Sequence, residues 1–137
     1  MMANPPAFSK SQLFTTAGAN SFVVPANVSS IFVTMVSGGG GGGGGHATGG
    51  AGGGGSGGNW CHRLQVAVTP GSTLTCTVGA KGAGSAIGVT GLNGGTSSVT
   101  GSLVTNTVCP GGVGGTAGAA VNGGSGGASN SNNWVCF

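Results

Sequence analysis

The residues able to carry chemistry are few: Cys61, Cys76, Cys109 and Cys136, the histidines His46 and His62, and the cations Lys10, Arg63 and Lys81. There is no Asp, no Glu and no Tyr. Without carboxylates the chain lacks paired acid–base catalysts, Asp-supported triads and oxygen-rich sites for calcium or magnesium. The cysteines are widely spaced, with no C-x-x-C pair, which argues against a zinc ribbon. Cys61 and His62 are adjacent, a poor spacing for two ligands of one metal. A Cys–His nucleophile pair with Asn support is formally available, but four cysteines and two histidines pair easily by chance. The chain is therefore read as no enzyme, with no cofactor and no metal. Its start, Met1-Met2-Ala3-Asn4-Pro5-Pro6, lacks the pattern of a signal peptide, so buried free thiols are expected rather than disulfides.

Glycine-rich loops invite a phosphate-binding reading. A P-loop needs Lys followed by Ser or Thr, whereas Lys81 is followed by Gly82. Gly79, Gly82 and Gly84 match dinucleotide fingerprints loosely, but a chain with 35 glycines in 137 residues matches many such patterns. Net charge is +3 and scattered, so no nucleic-acid partner is expected. No apolar stretch of about 20 residues is present to insert into a membrane. What remains is contact chemistry. His46 and Thr48 interrupt a glycine run, Asn93 is placed at a further turn, and Asn130, Asn132, Asn133 and Trp134 cluster near the end. Amide and aromatic groups held on loops by a rigid scaffold suit a saccharide or a protein surface. These seven are the candidate receptor-contact residues; solubility and turn formation are the bland alternative. His62 and Arg63 read as ordinary residues opening a strand.

The scaffold must come from the glycines. Gly38, Gly39, Gly40, Gly41, Gly42, Gly43, Gly44 and Gly45 run uninterrupted after the strand-like Ile31–Val36. Ordering them costs roughly 1–2 kcal/mol per residue in backbone entropy. One regular form suits them, the left-handed polyproline-II-type helix, three residues per turn and without internal hydrogen bonds. Its N–H and C=O groups must find partners on neighbouring segments. That form predicts a period of three. Gly49, Gly52, Gly55 and Gly58 are in phase. So are Gly79, Gly82, Gly88, Gly91 and Gly94, with Ser85 in the missing slot, and Gly112, Gly115, Gly118, Gly124 and Gly127, with Val121 in the missing slot. A flexible linker has no reason to keep such a phase. Gly38–Gly45 is accordingly placed as a structural core, and the one-faced segments around it.

Strand patterns lie between the glycine stretches. Leu13–Thr16 and Ser21–Val24 flank Ala17–Asn20 as a hairpin. Ser30–Val36 has apolar residues on both faces and reads as sandwiched. Asn59–Thr69 and Thr73–Val78 flank Pro70-Gly71 as the clearest hairpin, with Leu74, Cys76 and Val78 inward. Thr96–Val99 and Ser102–Thr105 are short strands. Residues 1–12 form an extended arm, an anchor for a partner, and 13–137 a single domain. The fold class is mainly β with polyglycine-II helices: a small antiparallel β-sandwich or β-hairpin layer plus a bundle of left-handed glycine-rich helices.

The order of parts resembles the glycine-rich modules of tailed-bacteriophage tail fibres and adhesins. Phe14-Thr15-Thr16, Phe22-Val23-Val24-Pro25-Ala26, then Ile31–Val36 and the polyglycine run carry the likeness. Val68-Thr69-Pro70-Gly71-Ser72, Cys76-Thr77-Val78-Gly79-Ala80 and Gly94-Gly95-Thr96-Ser97-Ser98-Val99 extend it over about residues 13–128. The resemblance implies a virion surface protein of the tail fibre or its tip, made in the host cytoplasm and acting in host attachment. It implies a homo-oligomer, most often a trimer, joined to other virion proteins through the arm, with a host glycan or outer-membrane protein as receptor. The chain departs from the pattern in its short length and its four cysteines. A structural head or tail decoration protein without receptor contact is one alternative. An ice-binding polyglycine-II protein is another, against which the aromatic and β-branched strands argue.

Overall fold

The computed structural model describes residues 10–104 and 107–128. Among these residues are six strands: β1 (Gly18–Val23), β2 (Ser30–Val36), β3 (Trp60–Ala67), β4 (Thr73–Val78), β5 (Ser97–Thr100) and β6 (Thr107–Cys109). They form two antiparallel sheets, β1-β4-β5-β6 and β2-β3. Among the described residues there is no α-helix, and so none long and apolar enough to cross a membrane.

Alternating side chains build one core between the sheets. Met35, Cys61 and Val66 come from the two-stranded sheet, Leu74, Val99 and Cys109 from the four-stranded one, and Val24, Val68 and Val104 from the connections. Leu74 is the anchor of the larger sheet, fully buried, with Cys76 and Val78 half-buried on the same face of β4. Nine buried apolar side chains are few for the described residues, so much of their order must come from backbone pairing.

Several strand expectations are corrected. Residues 13–16 form no strand; β1 pairs instead with β4, from Gly18↔Val78 to Val23↔Thr73. Residues 59–69 and 73–78 are not a hairpin. β3 pairs with β2, and Pro70-Gly71 carries the chain from one sheet to the other. Gly71 has φ +74°, which favours glycine, and its N–H donates to the Val24 carbonyl at 3.0 Å. β5 pairs with β4 on one side and on the other with β6, at Thr107–Cys109 rather than 102–105, and Thr105 falls outside the described residues. Finally, among the described residues β2 is covered on one face: Ile31, Val33 and Met35 turn inward, while Phe32 and Val36 are exposed.

The glycine stretches leave and re-enter the sheets. Residues 37–46 follow β2 and 50–59 lead into β3; 79–86 follow β4 and 89–96 lead into β5; 110–119 follow β6, and 122–128 lie beside them. Their backbones bond in steps of three. Gly38, Gly41 and Gly44 donate to Gly95, Leu92 and Val89, while Gly40 and Gly43 donate to Ser56 and Gly53. Gly82, Ser85 and Gly88 donate to Gly39, Gly42 and Gly45. Gly112, Gly115 and Gly118 donate to Gly38, Gly41 and Gly44. The polyglycine run thus bonds to four other segments, two parallel to it and two antiparallel.

The same step of three governs where a side chain fits. A Cβ on Gly38, Gly41 or Gly44 would overlap the carbonyl of Ala80, Ala83 or Ala86. One on Gly52, Gly55 or Gly58 would overlap the carbonyl of Gly43, Gly40 or Ser37. Gly112, Gly115 and Gly118 meet Ser56, Gly53 and Gly50 in the same way. Hydroxyls tie the segments to the sheets. Buried Ser97 donates to the Val36 carbonyl at 2.7 Å and accepts from Gly79 N–H at 2.9 Å. Buried Ser37 donates to Pro110 at 2.6 Å.

Candidate functional site

Three turns meet at the end of the glycine segments remote from the sheets. The first spans His46 to Gly50, the second Ala86 to Val89 and the third Ala119 to Asn122. They are in register, because Gly44 donates to Val89 and accepts from Gly118, while Gly45 accepts from Gly88. The step of three is broken by His46-Ala47-Thr48 in the first turn and at Val121 in the third, while in the second Ser85 fills the glycine slot just before the turn. Gly88, at φ +76°, reverses the second.

His46 and Thr48 sit together there, both exposed, with His46 Nδ1 2.9 Å from Thr48 Oγ1 and 3.2 Å from the Thr48 amide that donates to it. The ring is thereby fixed against its own turn. Beside them are apolar side chains that the sequence reading left out: Ile87, 68% exposed, Val89, and Val121, 90% exposed. A signal for Val121 was present in the broken period, since it fills a missing glycine slot where the chain turns; Ile87 and Val89 fall outside the glycine phase. Ser85 has the other role: its hydroxyl donates to Thr90 at 2.7 Å and closes the second turn.

Asn93 is placed differently from the expectation. It lies in the return segment, beyond the turn at Ile87-Gly88, and its Oδ1 accepts from the Gly114 amide at 2.9 Å. Its side chain joins two glycine segments. Asn130, Asn132, Asn133 and Trp134 lie outside the described residues.

A second exposed group lies on the outer face of β2 and β3. His62 and Arg63 both stand opposite Thr34, where the register shifts between Val33 and Met35. Arg63 adopts φ 52°, rare for a residue with a side chain. Its amide donates to Thr34 Oγ1 at 3.2 Å, and its guanidinium lies 5.2 Å from the centre of the Phe32 ring. Trp60, 52% exposed, faces His62 with ring centres 6.2 Å apart. This exposed face thus joins two aromatic rings, a histidine and a guanidinium beside a bulge, with His62 and Arg63 near the start of β3.

The thiols are set apart from both surfaces. Cys61 and Cys109 are buried in the core, and burial raises the half-buried Cys76 thiol above its usual pKa. A raised pKa disfavours the nucleophilic thiolate. Among the described residues no group of three or more potential ligands could hold a metal ion.

Neither the curated proteins nor the solved structures compared with the chain gave a match. A family model described as a glycine-rich domain matches residues 15–135, so the strands and glycine segments fall within one family unit. The chain belongs to the glycine-rich domain family.

Proposed function

We propose that the chain is a virion surface protein of a tailed bacteriophage, a tail-fibre or fibre-tip module that acts in host attachment. In this reading the β-sheets anchor a bundle of left-handed polyglycine-II rods, and the rods carry the three turns out toward a receptor. The backbone supports such winding. Hydrogen bonds recur every third residue. Within the described glycine-rich segments, 37–59, 79–96 and 110–128, the glycines with positive φ are Gly49 and Gly88, both at turns, and polyproline-II backbone has φ near −75°. At about 3.1 Å per residue, eight residues extend roughly 25 Å.

The observation that carries the proposal is the gathering of His46, Thr48, Ile87, Val89 and Val121 at one end of a glycine-rich backbone bundle. Rigid scaffolds with side chains displayed on loops are built for recognition. The order of motifs shared with tail-fibre and adhesin modules points the recognition toward a bacterial surface.

The test is binding of purified protein to whole bacteria, with cryo-electron microscopy of the virion carrying it. The proposal predicts cosedimentation with host cells, lost when Ile87 and Val121 are both changed to Lys, and density at a fibre or its tip. Density on the head with no cell binding would make it a decoration protein. Absence from virions would end the proposal.

A further inference from the structure

We infer that the open side of the polyglycine run is a docking surface for a second copy of this chain, backbone against backbone. The inference rests on the rod reading above but not on the assignment to a virion.

Two rows of backbone groups carry it. In a threefold rod the N–H and C=O groups point outward along three directions each. The polyglycine run uses four of these six: two rows of donors, from Gly38 and from Gly40, and two rows of acceptors, from Gly38 and from Gly39. The fifth row is the amides of Gly39, Gly42 and Gly45, and the sixth the carbonyls of Gly40 and Gly43. Among the described residues these groups have no hydrogen-bond partner. The exposure agrees. Gly38, Gly41 and Gly44 are buried, whereas Gly39, Gly40, Gly42, Gly43 and Gly45 are partly open. A regular row of unpaired donors and acceptors is a template for another chain.

The sequence is bare where the single chain does not require it. A Cβ on Gly39 or Gly42 would meet its nearest atom at 3.5 or 3.6 Å, an ordinary contact. Glycine there raises the entropy cost of folding without relieving any clash inside the chain. The run is glycine at every phase, as a rod enclosed on all sides would need to be, yet the chain encloses it on only some. A partner that came equally close would account for the difference.

The occupant must itself be a bare rod with glycine at a spacing of three. This chain carries such a row on its outside. Gly54 and Gly57 are exposed, no atom lies within 4 Å of a Cβ built on either, and neither has positive φ. No carboxylate exists to be buried, and Lys81 is the one charged residue in the described glycine segments.

Light scattering of the full chain over a concentration series, beside the double variant Gly39→Ala/Gly42→Ala, tests this. The wild type is expected to reach at least twice the monomer mass. The variant is expected to stay monomeric with a melting temperature within about 3 °C of wild type. Amide exchange on wild-type protein, dilute and concentrated, gives a readout that needs no variant. Assembly should slow Gly39, Gly42 and Gly45 by about tenfold or more, with Gly38, Gly41 and Gly44 slow throughout. A wild type that stays monomeric, a folded variant that assembles as wild type does, or assembly that leaves Gly39 and Gly42 fast would each overturn the inference. Fast exchange at Gly38, Gly41 and Gly44 would instead remove the rod reading beneath it.

Discussion

Single residues in this chain are decided by whether a Cβ has room. Gly41 and Gly54 lie in neighbouring segments, and neither has positive φ. On Gly41 a methyl group would overlap the Ala83 carbonyl, which belongs to backbone and cannot rotate away. Gly41→Ala is therefore expected to cost about 2–3 kcal/mol, the upper range for overpacking, and to lower the melting temperature by roughly 10 °C. Gly54→Ala meets nothing and restricts the unfolded chain, so it should be neutral or stabilising by about 0.5 kcal/mol. Thermal melts of the two variants check the pair, and equal losses would contradict the account. Arg63 poses the opposite case, a side chain at φ 52°. Gly at position 63 should be more stable than Ala there by about 1 kcal/mol, because both lose the contact with Phe32 and only Ala keeps the strain.

At the scale of elements, the junctions between sheets and glycine segments bear the most. Ser97 donates to the Val36 carbonyl and accepts from the Gly79 amide, so it ties β2 to β5 and to the segment leaving β4. Ser97→Ala leaves both part-buried groups without that partner, and a loss of about 1–2 kcal/mol is expected by chemical denaturation. The glycine phase was legible in the sequence, because close backbones forbid a Cβ at every third residue and nothing else in the chain competes with that rule. Strand positions were legible where alternation was strong, as in Leu74, Cys76 and Val78. Pairing was not. Pro70-Gly71 turns the chain as a hairpin would, and no local feature tells a turn within a sheet from one that crosses between two. The bulge opposite Thr34 was hidden likewise, since Arg63 is an unusual residue for left-handed backbone. The exposed residues of the tip were half legible: the broken period marked the first and third turns, but a slot that lacks glycine looked like an exception rather than a position.

For the whole molecule, charge sets the response to pH. Acid unfolding comes mainly from protonating carboxylates that are paired in the native state, and this chain has no Asp or Glu. Its stability should therefore vary by less than about 1 kcal/mol between pH 5 and pH 2.5, as checked by chemical denaturation at several pH values. The alkaline side differs. Burial raises the Cys76 pKa above 9.0 in the folded chain. Stability from this group is full below 9.0 and falls as pH rises from there through the folded value, because the unfolded thiol ionises first. Cys76→Ala should reduce the slope above pH 9.

The central claim is that the glycine segments are ordered, mutually bonded backbone rather than linkers. Residue-resolved amide exchange in dilute solution tests it most directly. The account predicts slow exchange at Gly38, Gly40, Gly41, Gly43 and Gly44, whose amides are bonded, and fast exchange at Gly39, Gly42 and Gly45, whose amides are open. Uniformly fast exchange across residues 38–45 would contradict it.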